Sequence, residues 1–294
     1  MRANLQQLFK VVPQGAVGGF NILNLEMALA VLEAAELTRR PVAIGISADE
    51  FDAVNAPLLT HSLVAAIHTS SAPVALHLDR VRPDNVGLIQ QALDMGFTSV
   101  MLDGSGLTLG RCSELTAEVV DVARRYVASV EVKPPADPFD APTLARFVRN
   151  TGVDALVLLD GVNGVSLERL AHFASLQERR PTALVIHGAS RLSAPFIDRA
   201  IGVGVRKVTC FLGLMDNTLK NLRLHTGRPR LTECSSTDEL LRLKEDLHGN
   251  WVEAVAAQLQ RYANPLNTEL GYEPSARVVS PGLIGTRRAV APTD

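Results

Sequence analysis

Residues Ala72 to Arg80, APVALHLDR, decide how this chain is read. Val74, Ala75, Leu76 and Leu78 suit a strand buried on both faces, and such unbroken apolar runs belong to parallel sheets. Asp79 and Arg80 arrive where that strand leaves the core. Two ionisable residues at a strand exit mark a place where chemistry is done.

Working outward from it, further apolar, β-rich runs lie at Val17 to Asn21, Val42 to Ser47, Ser99 to Asp103, Ala128 to Lys133, Ala155 to Asp160, Ala183 to His187 and Lys207 to Leu212. Between them, apolar residues three and four apart predict helices over Asn24 to Thr38, Asp84 to Met95, Ser113 to Arg125, Ala141 to Asn150, Leu167 to Gln177 and Ala194 to Ile201. The glycines in DMGFTSV, NTGVDAL and GVGVRKV stand where a helix stops in the left-handed conformation before the next strand. Eight strands in such alternation predict an α/β fold, a (β/α)8 TIM barrel with a C-terminal helical extension; a doubly wound open sheet is the alternative.

The barrel is expected over residues 1–225 and the extension over 226–294. A helix follows Leu212 to about Leu224, and a second long amphipathic stretch, with Trp251 among its apolar positions, covers Asp238 to Tyr262. From Ala263 the chain is rich in Pro, Gly and Arg without periodicity, which reads as a loose tail.

Composition excludes several partner classes. With 294 residues, 47% of them apolar, the chain can bury a large core. A formal charge of −2 with acidic and basic residues interspersed leaves no basic stripe for nucleic acid and no polybasic membrane patch. Cys112, Cys210 and Cys234 have no CxxC spacing, so they read as inert thiols in a reducing compartment. The N-terminus has no apolar signal region and no segment approaches the ~18 apolar residues of a membrane span, so a cytoplasmic location is expected.

In a barrel, the residues that end the strands gather on one face, and that face holds the active site. Here they are Asn21, Ser47, Asp79, Arg80, Asp103, Glu131, Lys133, Asp160, Asn163 and His187. Any one alone reads better as a loop residue or a helix cap, Asp160 above all, and Asp103 in DGS could equally begin a turn. Together they make a site.

The motifs carry a family resemblance. GGFNILNLEMALAVLEAAE, PVAIGIS, APVALHLDR, SVMLDGS, GVDALVLLDGVNG and LVIHGAS resemble, in order and spacing, the successive strand motifs of the class II fructose-bisphosphate and tagatose-bisphosphate aldolases, over about residues 5 to 225. The resemblance implies that Asp79 is the proton-transfer acid, that Ser47 touches substrate, and that His187 through Ser190 form the seventh strand end and phosphate loop. It also implies a catalytic zinc held by three histidines after strands three, six and seven. By position these are Arg80, Asn163 (after a one-residue gap) and His187. After strand eight, Thr209-Cys210-Phe211-Leu212 replaces the family's Asn-Val-Asp/Ala-Thr, which puts an apolar ring where relatives place polar groups.

Catalytic zinc takes three His, Cys, Asp or Glu ligands and an open position, and one imidazole falls short. Ligation by Asp79, Glu131 or Asp160 would lean toward Mn or Mg. The metal is therefore disfavoured and no cofactor is expected. The resemblance then implies an aldolase-type lyase acting on a ketose or ketose-phosphate-like substrate through an enediolate or enamine-like intermediate. Catalysis is expected of Asp79, Arg80, Lys133 and Glu131, with Arg80 or Lys133 replacing the lost positive charge. A Lys133 Schiff base is the bolder version, and an ion pair of Lys133 with Glu131 the plainer one. Asn21, Ser47, Asp103, Asn163, His187, Gly188 and Ser190 are expected to bind substrate. The alternatives are a non-catalytic sugar-phosphate-binding homologue and a metal-dependent aldolase with carboxylate ligands. The expected partners are a small carbonyl compound and further copies of the chain, as a homodimer or homotetramer.

Overall fold

Parallel strands β1 (Val17–Asn21), β2 (Val42–Ser47), β3 (Val74–Val81), β4 (Ser99–Asp103), β5 (Ser129–Lys133) and β6 (Ala155–Asp160) pair each with the next in sequence. A two-residue antiparallel strand, β7 (Asn163–Gly164), folds back on β6, and β8 (Ala183–His187) and β9 (Val205–Cys210) complete the circuit, with β9 against β1. The result is a closed eight-stranded (β/α)8 barrel, in a computed structural model that describes residues 1–53, 56–135, 140–160, 163–164, 166–176, 182–210 and 237–263. Closure leaves the barrel no edge strand to protect.

The helices on the outer face are α2 (Leu25–Thr38), α3 (Ala48–Ala53), α4 (Ala56–Thr69), α5 (Gly87–Asp94), α6 (Leu109–Arg125), α7 (Ala141–Thr151), α8 (Leu167–Ser175) and α9 (Ala194–Gly202). Side chains of Asn24, Thr108 and Asp140 cap α2, α6 and α7 by accepting from backbone N–H groups that the helix leaves unpaired. The Thr108 cap starts α6 a turn ahead of the position that apolar periodicity suggests. Gly96, Gly152 and Gly204 all have positive φ, as their places before the next strands predict.

Helix α1 (Leu5–Val11), which periodicity did not mark, plugs the end of the barrel where the strands begin. Leu5 and Leu8 are fully buried against Val17, Ala43 and Ala75. The Arg206 guanidinium donates to the carbonyls of Phe9, Val12 and Pro13, and the Leu5 N–H donates to Ser129 Oγ at 3.0 Å. Above this plug Met101, Ala155, Val157, Ala183 and Val185 fill an apolar layer.

The long C-terminal helix α10 (Thr237–Ala263) lies on the outside against α2 and the start of β1. Pairs Glu33–His248 at 2.7 Å and Asp198–Arg261 at 2.6 Å fix it at its middle and near its C-terminal end, and the Ala16 N–H donates to the Tyr262 carbonyl. The expected helix to about Leu224, Cys234 and the tail from residue 264 lie outside the described residues. None of the helices described is long and apolar enough to cross a membrane.

Candidate active site

Side chains alternate across a strand, so His77 and Asp79 share the inward face of β3. Register sets Ser47 beside Asp79 and Ser99 beside His77. Asp79 is 1% exposed, and its Oδ2 accepts from Asn21 Nδ2 at 2.6 Å. That reach across β2 requires Gly45, because a Cβ there would overlap the Asn21 amide oxygen. Asp79 Oδ1 has no hydrogen-bond partner among the described residues, and it lies 3.8 Å from both His77 Nε2 and His187 Nδ1.

Immediately after Asp79 the pairing of β3 with β4 slips, and Arg80 takes a left-handed φ of 60°. A bulge of this kind re-aims a side chain, and the left-handed region is costly for a residue with a Cβ. Here it keeps Arg80 at the rim, 40% exposed, with Nε 3.8 Å from Asp79 Oδ2.

Under Asp79 lies a buried charged cluster. Glu131 on β5 accepts from Lys207 Nζ at 2.7 Å through Oε2 and contacts His187 Nε2 at 2.6 Å through Oε1. Lys207 Nζ is also 3.3 Å from His77 Nε2, while His77 Nδ1 contacts Ser99 Oγ at 2.8 Å. Glycine at position 19 makes room for this lysine, since a Cβ there would come within 3.1 Å of Lys207 Cε.

The electrostatics follow from that packing. Burial pushes the His77 ring down to about 3, and the Lys207 ammonium adds to the effect, so the imidazole is neutral. Burial pushes Glu131 up, but Lys207 and the His187 hydrogen bond outweigh it and hold the carboxyl well below the usual range. Asp79 likewise lies below its ordinary value: burial opposes ionisation, and His187, Lys207 and the Asn21 amide more than offset it.

Of the residues singled out from sequence, Asn21, Asp79, Arg80, Glu131 and His187 converge here. Lys133 ends β5 half-buried, in register with Asp103 on β4. Asp103 Oδ1 accepts from the Ser105 N–H at 3.0 Å, so it holds the turn as well as lining the rim. Ser47 Oγ accepts from the Glu50 N–H at 3.3 Å, starting α3. Gly188, left-handed at φ 62°, turns β8 into a short 3-10 turn with Ser190, whose hydroxyl is 3.2 Å from Cys210 Sγ. Asn163 pairs with Asp160 through the β6–β7 backbone, and the side chains of both lie outside the described residues, as does Phe211. Sequence reasoning passed over His77, Ser99 and Lys207. The two-residue period counted back from Asp79 marks His77, and in VRKVTC the same period, which puts Arg206 on one face, puts Lys207 on the other with Thr209.

Comparison with known proteins places this geometry. A family model described as class II fructose-bisphosphate aldolase matches residues 4–134. The 6-phospho-5-dehydro-2-deoxy-D-gluconate aldolase of Bacillus licheniformis is 32% identical, over 83% of this chain and 92% of its own. The chain belongs to the class II aldolase family. The fructose-bisphosphate aldolase of Geobacillus stearothermophilus is 31% identical over 66% of this chain and 74% of its own. In fold, the YdjI aldolase from Escherichia coli K12 superposes with a TM-score of 0.76 at 22% identity, over 89% of this chain and 97% of that one. As a member of this aldolase family the protein is an enzyme of the carbon–carbon lyase class.

The family resemblance implies zinc, and the donors at these positions do not fit it. A guanidinium offers no lone pair, and Arg80 holds the place of one ligand. His187, its Nε2 engaged by Glu131, has only Nδ1 left for a ligand bond, and the Lys207 ammonium lies 3.3 Å from the nitrogen of the other buried imidazole, His77 Nε2. No group of three His, Cys, Asp or Glu side chains among the described residues is arranged to hold a metal ion.

Proposed function

We propose that this protein makes or cleaves a carbon–carbon bond in a ketose or ketose phosphate without a metal, using Asp79 to move the proton and Arg80 to face the developing oxyanion. The observation that carries the reading is the Asp79 carboxylate, buried beside a rim guanidinium with one oxygen lacking a donor. In the cleavage direction Asp79 Oδ1 takes the proton of the hydroxyl β to the ketone. The bond between the α and β carbons breaks, the β carbon becomes an aldehyde, and the electron pair passes to the ketone oxygen. Arg80 stabilises that enediolate charge, and the proton held by Asp79 returns to the α carbon. Fixed charge aimed at a developing oxyanion is the largest single contribution in many such reactions.

The relatives' names support the substrate class, because fructose bisphosphate and 6-phospho-5-dehydro-2-deoxy-D-gluconate both combine a ketone with phosphate. The left-handed Gly188 and the turn after it suit an anion held by backbone N–H groups. The same reading takes residues 1–225 as the catalytic unit, 226–294 as its extension, and a cytoplasmic homodimer or homotetramer as the assembly, which light scattering measures.

The test is an aldehyde-release assay with ketose phosphates and unphosphorylated ketones, run with and without a strong chelator. Cleavage that persists in chelator and disappears in Asp79→Asn is the expected result. Turnover that requires an added divalent ion, or no turnover with any ketone, overturns the reading.

A further inference from the structure

The Asp79 carboxylate is held from two strands away. Neighbouring strands lie about 4.8 Å apart, so β1 and β3, with β2 between them, are separated by roughly 10 Å. Asn21 on β1 faces Gly45 on β2, and Gly45 in turn faces His77, two residues before Asp79 on β3. The Asn21 side chain therefore passes over the inner face of β2 at position 45 to donate from Nδ2 to Asp79 Oδ2 at 2.6 Å. A Cβ at position 45 would overlap the Asn21 amide oxygen and stand 3.0 Å from its Cγ. The backbone has little room to yield, because the Ile22 N–H donates to the Gly45 carbonyl at 2.9 Å and ties the end of β1 to β2 there.

This bond makes the two carboxylate oxygens unequal. The last torsion of an aspartate is broad and nearly two-fold, so an untethered carboxylate presents either oxygen. Here Oδ2 is tethered by Asn21, with Arg80 Nε 3.8 Å from it, and Oδ1 has no hydrogen-bond partner among the described residues. We propose that Gly45 and Asn21 are positioning residues that fix the Asp79 carboxylate with Oδ1 as its one working oxygen, Gly45 by leaving the passage open and Asn21 by tying down Oδ2. Asn21 thus has a different task from the substrate contact expected of it from sequence, since its amide nitrogen is committed to Asp79. The inference rests on the function proposed above for what Oδ1 does, and on geometry alone for how the carboxylate is held.

A cycle of Gly45→Ala, Asn21→Ala and the double variant tests it, read by melting temperature and by the ketose-phosphate cleavage assay. Gly45→Ala is expected to lower kcat roughly 10²-fold with KM little changed, because misplacing a reacting group by about 1 Å costs that much. The overlap should also lower its Tm by roughly 5 °C. Asn21→Ala is expected to lower kcat by a similar factor, again with KM little changed. In the double variant the nearest Asn21 atom left to the new methyl is Cα, at 3.7 Å, so Gly45→Ala should then add nothing to either loss. Losses in kcat that multiply to about 10⁴-fold overturn the proposal, as does a Tm drop from Gly45→Ala that is as large without the Asn21 side chain as with it. Wild-type kcat in either single variant also overturns it, and a raised KM at unchanged kcat in Asn21→Ala would make that residue a substrate contact instead. If Gly45→Ala does not fold, the double variant is expected to fold, and its failure to do so counts against the proposal. The melting temperatures need no turnover, so a coupled cycle in a protein that cleaves no ketone would sink the proposed function and leave the tether standing.

Discussion

The two ends of the barrel interior are built on opposite principles. At the end where strands begin, Leu5, Leu8, Val17, Ala43 and Ala75 pack beneath Met101, Val157 and Val185, an interior of hydrocarbon sealed by α1. At the end where they finish, Asp79, Glu131, Lys207 and two imidazoles are as deeply buried, yet every contact among them is polar. Burial is equal and chemistry is not. Apolar packing stabilises without direction, whereas a buried ionic cluster holds charge in a fixed place at the expense of desolvation. The difference teaches that fold stability and reactivity are drawn from separate layers of the same eight strands.

Substitutions sharpen or break this contrast. The largest effect is expected for Asp79→Asn, which keeps the packing and should lower aldol turnover by about 10³-fold with the melting temperature little changed. An unfolded variant would mean that the upper layer also carries the fold. Next is acid. His77 is held near 3 in the folded protein against an ordinary 6.5, so the unfolded chain binds that proton first as pH falls. The associated stability is complete above pH ~6.5 and is lost progressively toward pH ~3, on the order of 5 kcal/mol in all. Asp79 and Glu131, both held low, lose their contributions in the same direction. Thermal unfolding followed from pH 7 to 5 should show the slope, and His77→Gln should flatten it.

Leu8→Ala tests the opposite end. Deleting a fully buried side chain should cost about 3 kcal/mol by denaturant titration, with activity per folded molecule intact and the acid slope retained. A lost slope would show the two layers to be coupled. The smallest effect is at the rim. Arg80→Gly relieves a left-handed φ and should leave stability unchanged or raised by about 1 kcal/mol, while turnover falls roughly 10²-fold. Full activity in that variant would remove the guanidinium from the mechanism.

Much of this architecture was legible. The strands from Val17 to His187 are set by short, largely apolar runs that alternate with helices, three of them followed by a positive-φ glycine, and local rules suffice for those. Asp79 and Glu131 were legible as ionisable residues at strand ends. Helix α1 was not, because its amphipathic signal spans only seven residues and its partners are the starts of distant strands. Ser47 and Asp103 show the reverse limit, since local hydrogen bonds engage both in starting a helix and a turn.

The sequence by itself determined the alternation of strand and helix, hence the barrel and the end at which polar residues collect, because hydrophobic period and capping are short-range properties. Only the tertiary structure decided which charges meet. Lys207 and Glu131 are 76 residues apart in the chain, and their contact depends on barrel closure, the register of each strand and Gly19, which leaves space for the lysine stem. A charge acts over a few ångströms, and those separations exist only once the sheet has closed on itself.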